Sequence, residues 1–210
     1  MDLISGYLLI ILILFSINIS LLFGNYKLNN LKLIFISLIF TILTFLLLNI
    51  FNFSLIDYLS YIFFAMTVIL FIIMFYYVKL NNFKVTLMLT ILLFFTSILI
   101  ISPQSNLDFF TRLLYSLVVF IIIFSVYQLT KLLQHAKREY NVIVGEYMSL
   151  FSILLFIFSL TFNSTRNLDY SMFNSFLILT PTYQLIYVII IISVILVIGV
   201  FLNESRGENS

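Results

Sequence analysis

The chain has 210 residues, of which 63% are hydrophobic and only 9% charged, and its mean hydropathy is +1.23. A soluble domain is nearer half apolar and a quarter charged, so a water-soluble globule could not cover this much apolar side chain, and lipid is left as the solvent. Ten Lys+Arg against eight Asp+Glu leave +2, too weak a field to predict nucleic acid as a partner.

A hydrocarbon core of about 30 Å is crossed by about 20 helical residues. The first apolar run, 3–23, follows Met1-Asp2 without a basic leader or a small-residue cleavage site, and is expected to be a retained helix. The second, 33–51, follows the turn Lys27-Leu-Asn-Asn-Leu-Lys32. The third, 58–78, opens after Asp57, and the fourth, 85–102, follows Lys79-Leu-Asn-Asn-Phe-Lys84. The fifth, 109–130, begins after Asp108 and runs into the basic stretch Lys131 to Arg138. The sixth, 142–162, carries Glu146 about one turn inside, and the seventh, 176–202, is interrupted by Thr180-Pro181-Thr182-Tyr183-Gln184. These uncharged runs are too long for barrel strands and lack their period of two. The expectation is an all-α polytopic bundle of about seven transmembrane helices, one domain over 1–203, with a polar tail at 204–210.

Charge placement predicts the orientation. With the N-terminus on side one, the loops of that side hold only Arg112 and Arg166 as cations. Side two holds Lys27, Lys32, Lys79, Lys84, Lys131, Lys137, Arg138 and Arg206. Short basic loops stay in the cytoplasm, which predicts the N-terminus outside, the C-terminus in the cytoplasm and an odd number of spans. The acids divide too. Asp2, Asp57, Asp108 and Asp169 fall on the outer side, while Glu139, Glu146, Glu204 and Glu208 fall on the inner side.

Lys27, Lys79 and Lys131 recur at a constant spacing of 52 residues, and Asn106-Leu-Asp108 matches Asn167-Leu-Asp169 on the other side. Such a period suggests a repeat: a two-helix hairpin used three times in one orientation, packed as sequential antiparallel hairpins, with a seventh helix added. Biased composition could also produce Lys-Leu-Asn-Asn twice. The Asp residues are placed to cap the helices that follow them.

Several chemistries are absent. With no Cys there is no disulfide, thiolate catalysis or Cys-ligated metal. His135 is the sole His. The chain has no Walker loop, Gly-x-Ser-x-Gly elbow or His-Glu-x-x-His. A Ser-His-Asp triad would need His135 to meet an Asp across the membrane. The expectation is a protein that is not an enzyme and carries no cofactor or metal.

The residues left for function are few. Glu146, if it faces the bundle, would be a proton- or cation-responsive group. The alternative is an interfacial carboxylate paired with Lys131, Lys137 or Arg138. Lys131, His135 and Arg138 share one helical face at i, i+4 and i+7. They form a basic collar suited to anionic lipid headgroups or a partner, unless they serve only as a topological anchor. Pro181 breaks the last span beside Tyr183 and Gln184, as in interrupted helices that line transport sites, though an ordinary kink also fits. Asn18 and Asn49 are expected to hydrogen-bond between helices, and Arg112 to pair with Asp108. The leading reading is a non-enzymatic, permease-like or scaffold subunit in the cell membrane, with lipid and other membrane subunits as partners. The alternatives are a small secondary transporter using Glu146 and the break at Pro181, and the membrane input domain of a signalling system.

Overall fold

The computed structural model describes residues 3–26, 28–50, 55–80, 82–105, 107–133 and 138–166. They form six α-helices: α1 (Leu3–Phe23), α2 (Asn30–Ile50), α3 (Leu59–Leu80), α4 (Phe83–Ile101), α5 (Phe109–Leu133) and α6 (Tyr140–Arg166). Each is long and apolar enough to cross a membrane, and no strand occurs among the described residues. The seventh expected span, 176–202, and the tail lie outside the described residues.

Backbone groups in lipid find partners only in one another, so the helices run until polar residues can take over. Asn82 caps α4, its side chain accepting from the Val85 N–H. Pro103, which has no N–H to donate, turns the end of α4 into one 3-10 turn, Ser102–Gln104. Several interior hydroxyls are satisfied by their own helix: Ser16 donates to the Leu12 carbonyl at 2.6 Å and Thr90 to that of Thr86 at 2.8 Å.

Side-chain pairings fix the polarity of the helices. Tyr115 reaches Ser5 and Ser20 reaches Ile123, so α1 and α5 run parallel. Tyr7 meets Thr165, while Tyr140 donates to the Leu21 carbonyl, so α6 runs against α1. Ser60 pairs with Ser159 and Tyr77 with Asn141, so α3 runs against α6. Arg112 bonds Asn49 and Lys131 bonds Asn30, so α2 runs against α5. Ser102, just past α4, reaches Leu48 near the end of α2, so α4 runs parallel to α2. The helices therefore alternate up and down. One end of the bundle carries Lys32, Lys79, Lys84, Lys131 and Arg138, and the other carries Asp57, Asp108, Arg112 and Arg166.

The packing corrects the expected sequential hairpins. Of the three, only α3 and α4 pack on each other; α1 and α2 are not major partners, nor are α5 and α6. Instead α1 packs on α4, α5 and α6, while α4 packs on α1, α2 and α3. With α2 on α5 and α3 on α6, the six form two rows of three, α5–α1–α6 and α2–α4–α3. The core lies along the two middle helices. Leu8, Ile11, Leu12, Phe15 and Ile19 of α1 have no exposed surface. The Phe15 ring stands edge-on to Phe151 at 4.7 Å and tilts against Phe94 at 5.9 Å. Lipid is as apolar as leucine, so what holds the rows is dispersion between interlocked rings and a few interhelical hydrogen bonds.

Candidate functional site

The charged candidates sit at the ends of the bundle. Glu146 lies on α6 with its side chain about half exposed, and its Oε1 accepts from the Arg138 guanidinium at 3.2 Å. This is the interfacial pairing rather than the inward-facing arrangement. Lys131 donates to Asn30 Oδ1 at 3.2 Å and Gln128 Oε1 at 2.8 Å, and its Nζ lies 5.6 Å from the centre of the Tyr127 ring. His135 and Lys137 of the expected collar lie outside the described residues, as do Pro181, Tyr183 and Gln184.

At the opposite end, Asp57 lies in a one-turn 3-10 helix and accepts from Arg166 at 2.7 Å. Arg112 does not turn back to Asp108; its Nη1 donates to Asn49 Oδ1 at 2.7 Å. The amide of Asn49 lies on the neighbouring helix within reach, and the pair ties α2 to α5.

Inside the bundle the chemistry is neutral. Among the described residues no Asp, Glu, Lys, Arg or His is buried. Buried Ser and Thr hydroxyls mostly bond helix carbonyls. Asn18 of α1 is the exception: it is completely buried, and neither its Nδ2 nor its Oδ1 has a partner. The Thr44 hydroxyl of α2 is likewise buried and unpartnered.

Helical geometry shows where Asn18 points. It is three residues from Leu21 and four from Leu14, whose carbonyls accept from Tyr140 and Tyr147 of α6. Phe15, one turn away, packs on Phe94 and Phe151. Asn25, in the turn just past α1, reaches Tyr77 of α3. Residues spaced three, four and seven apart share one helix face. Asn18 therefore looks into the space bounded by α1, α3, α4 and α6.

At the lysine-rich end a tyrosine network joins these helices. The Tyr77 hydroxyl accepts from Asn25 Nδ2 at 3.2 Å and donates to Asn141 Oδ1 at 2.9 Å, joining α1, α3 and α6. Tyr140 and Tyr147 fasten α6 to α1. Beside them, the Tyr127 hydroxyl of α5 donates to the Tyr26 carbonyl at 2.9 Å and accepts from the Leu28 N–H at 2.7 Å. Gly24 makes room for the Tyr140 contact, because a Cβ there would collide with its hydroxyl. Sequence reasoning missed the network. Thirteen tyrosines among 25 phenylalanines look like composition bias, and only contacts separate the working hydroxyls from the rest.

Asn18 was foreseen as an interhelical hydrogen-bonding amide; the structure buries it without the bond. Asn49 does bond across helices, though to Arg112. No protein-family model, curated protein or solved structure matches the chain. Its architecture is what characterises it: the described residues form an all-helical bundle whose six helices are each long and apolar enough to cross a bilayer, the build of a multi-pass membrane protein.

Proposed function

We propose that the protein is a non-enzymatic, permease-like component of the cell membrane that passes a small uncharged polar solute between α1, α3, α4 and α6. The N-terminus lies outside and the lysine-rich end faces the cytoplasm. The observation that carries this reading is the Asn18 amide. A buried donor or acceptor without a partner costs about 1–3 kcal/mol, and a purely structural bundle would gain by placing Leu there. A guest offering one acceptor and one donor removes the penalty. The lack of buried charge among the described residues favours a neutral guest, since a bare ion would lose its hydration without a countercharge.

Proteoliposome shrink–swell measurements with glycerol and urea test the proposal. The expected outcome is permeability above protein-free vesicles. Asn18→Leu should remove it while leaving the melting temperature equal or higher. Permeability that survives Asn18→Leu, or wild-type vesicles no more permeable than protein-free ones, overturns the reading. A scaffold role would then stand first. It is favoured by the small share of α2, α3 and α5 buried inside the bundle, 28%, 28% and 22%, which leaves long apolar faces for other subunits. Co-purifying membrane proteins that survive Asn18→Leu would support it.

A further inference from the structure

The pattern of helix packing has a symmetry of its own. Replace α1 by α4, α2 by α5 and α3 by α6, and the set of packing partners is unchanged. The contact of α1 with α5 becomes that of α4 with α2, and the contact of α1 with α6 becomes that of α4 with α3. The pairs α1–α4, α2–α5 and α3–α6 map onto themselves, and all three are packed. No other pair of helices packs extensively. The helices alternate in direction, so each is exchanged with one of opposite polarity. The operation is a two-fold rotation about an axis in the membrane plane, running through the three self-paired contacts and exchanging the two rows.

Burial follows the same operation. A shift of 82 residues carries the buried Leu8, Ile11, Leu12, Phe15, Ser16 and Ile19 of α1 onto Thr90, Leu93, Phe94, Ser97, Ile98 and Ile101, all buried. The same shift carries buried Phe63, Met66, Leu70, Ile73 and Tyr77 of α3 onto Gly145, Met148, Ser152, Leu155 and Ser159, again all buried. On α2, a shift of 79 carries Ser37, Phe40, Thr44 and Leu48 onto Ser116, Val119, Ile123 and Tyr127. A helical period alone could match one pair of helices; it does not require α1 and α3 to share one shift.

One hydrogen bond is repeated as well. Ser20 of α1 donates to the Ile123 carbonyl of α5 at 2.9 Å, and its equivalent Ser102, at the end of α4, donates to the Leu48 carbonyl of α2 at 3.3 Å. The acceptors lie one helical turn apart in register. Aligned by the shift, the two halves have few identical residues, so the symmetry lies in the packing and the sequence alone does not display it.

We infer that α1–α3 and α4–α6 are inverted structural repeats, and that the bundle has a second conformation in which the two halves exchange their arrangements. Folds of this kind alternate access by rocking one half against the other. The symmetry is broken in the bonds that fasten the two ends. Tyr77 is carried onto Ser159, Asn141 onto Leu59 and Tyr147 onto Ala65, so the tyrosine network is not copied, and the other end is held by Tyr7 with Thr165, Tyr115 on the Ser5 carbonyl and the Ser60–Ser159 pair. The tyrosine network is the latch of the lysine-rich end. In the exchanged conformation the lysine-rich end opens as the acidic end tightens, and the Tyr77 bridge between α1, α3 and α6 parts.

The chain has no native Cys, so spin labels can be placed in the full-length protein in nanodiscs without background. One pair, Lys84→Cys with Glu139→Cys, spans the rows at the lysine-rich end. A second, Tyr58→Cys with Asn163→Cys, spans them at the acidic end. Each pair is measured by double electron–electron resonance in the otherwise native protein, in Tyr77→Phe and in Gly24→Ala; the two variants loosen the latch by different routes. The expected result is reciprocal: the population moves to a longer distance at the lysine-rich end and to a shorter one at the acidic end. Distances that stay fixed in both variants overturn the inference. So does lengthening at both ends, which is loss of packing, or movement at one end alone, which is local fraying. The readout needs no solute, so reciprocal motion without permeability would sink the permeation proposal and leave the inverted repeat standing.

Discussion

Gly24 and Tyr140 show how much can rest on one missing methyl group. The Tyr140 hydroxyl is held on the Leu21 carbonyl, and a Cβ at Gly24 would overlap it and crowd Cζ at 2.8 Å. Gly24→Ala should therefore destabilise the protein by about 1–3 kcal/mol, the usual penalty for overpacking. In Gly24→Ala/Tyr140→Phe the hydroxyl clash is gone while the ring contact remains, so the double variant should melt above the sum of the single changes. Circular dichroism melting suits a chain without Trp, and strict additivity would refute the contact. Little of this was legible in the sequence. Asn18, Glu146 and Arg112 announce themselves because polar groups are rare in the spans, and the end-pairing of Glu146 was among the readings offered. Which tyrosine hydroxyl meets which carbonyl depends on helices more than 100 residues apart, and no local pattern encodes it.

At the scale of the element, hydropathy located the helices well. The first expected span has the bounds of α1, and α2, α4 and α6 each begin two or three residues before the apolar run that marks them. The extra residues, Asn30, Leu31, Lys32, Phe83, Lys84, Tyr140 and Asn141, include the charged and amide side chains that end a hydropathy window while still continuing a helix. Packing partners were not legible. In water the core face of a helix is marked by apolar periodicity, but in lipid the outer face is just as apolar, so the stripe disappears. Gly145 is the informative exception. A Cβ there would sit 2.7 Å from Val78 Cγ2, marking a close approach of α3 and α6. Ser60 and Ser159 each donate to the other's carbonyl across the same seam, at 2.6 and 2.9 Å. Gly145→Ala should lower the melting temperature, because a β-branched valine in a helix has little rotameric freedom with which to yield. Val78→Ala should restore most of the loss. Ser60→Ala should cost about 0.6 kcal/mol, the average for such bonds in membranes. A Gly145→Ala defect that Val78→Ala leaves intact would place the contact elsewhere.

For the whole molecule, the inverted repeat bears on which way up the protein sits. A bundle whose halves exchange by a rotation in the membrane plane presents nearly the same apolar profile to the bilayer in either orientation. Helix lengths and hydrophobicity then discriminate weakly, and the lysines must decide. Lys32, Lys79, Lys84, Lys131 and Arg138 gather at one end against Arg112 and Arg166 at the other, and the short loops that hold them are those on which the positive-inside bias acts. Single Cys at Asn29 and at Ser164, both exposed, report the two ends to an impermeant thiol reagent. In intact cells the Ser164 site should label and the Asn29 site should not. Replacing Lys27, Lys32, Lys79, Lys84, Lys131 and Lys137 together by Gln leaves Arg138 and Arg206 on one side against Arg112 and Arg166 on the other. That variant should insert in both orientations, so that each site labels in part. An orientation set instead by the unlike sequences of the two halves would leave the labelling of the six-lysine variant unchanged. Reversed labelling in the native chain would turn the lysine-rich end, and the tyrosine latch with it, to the outside.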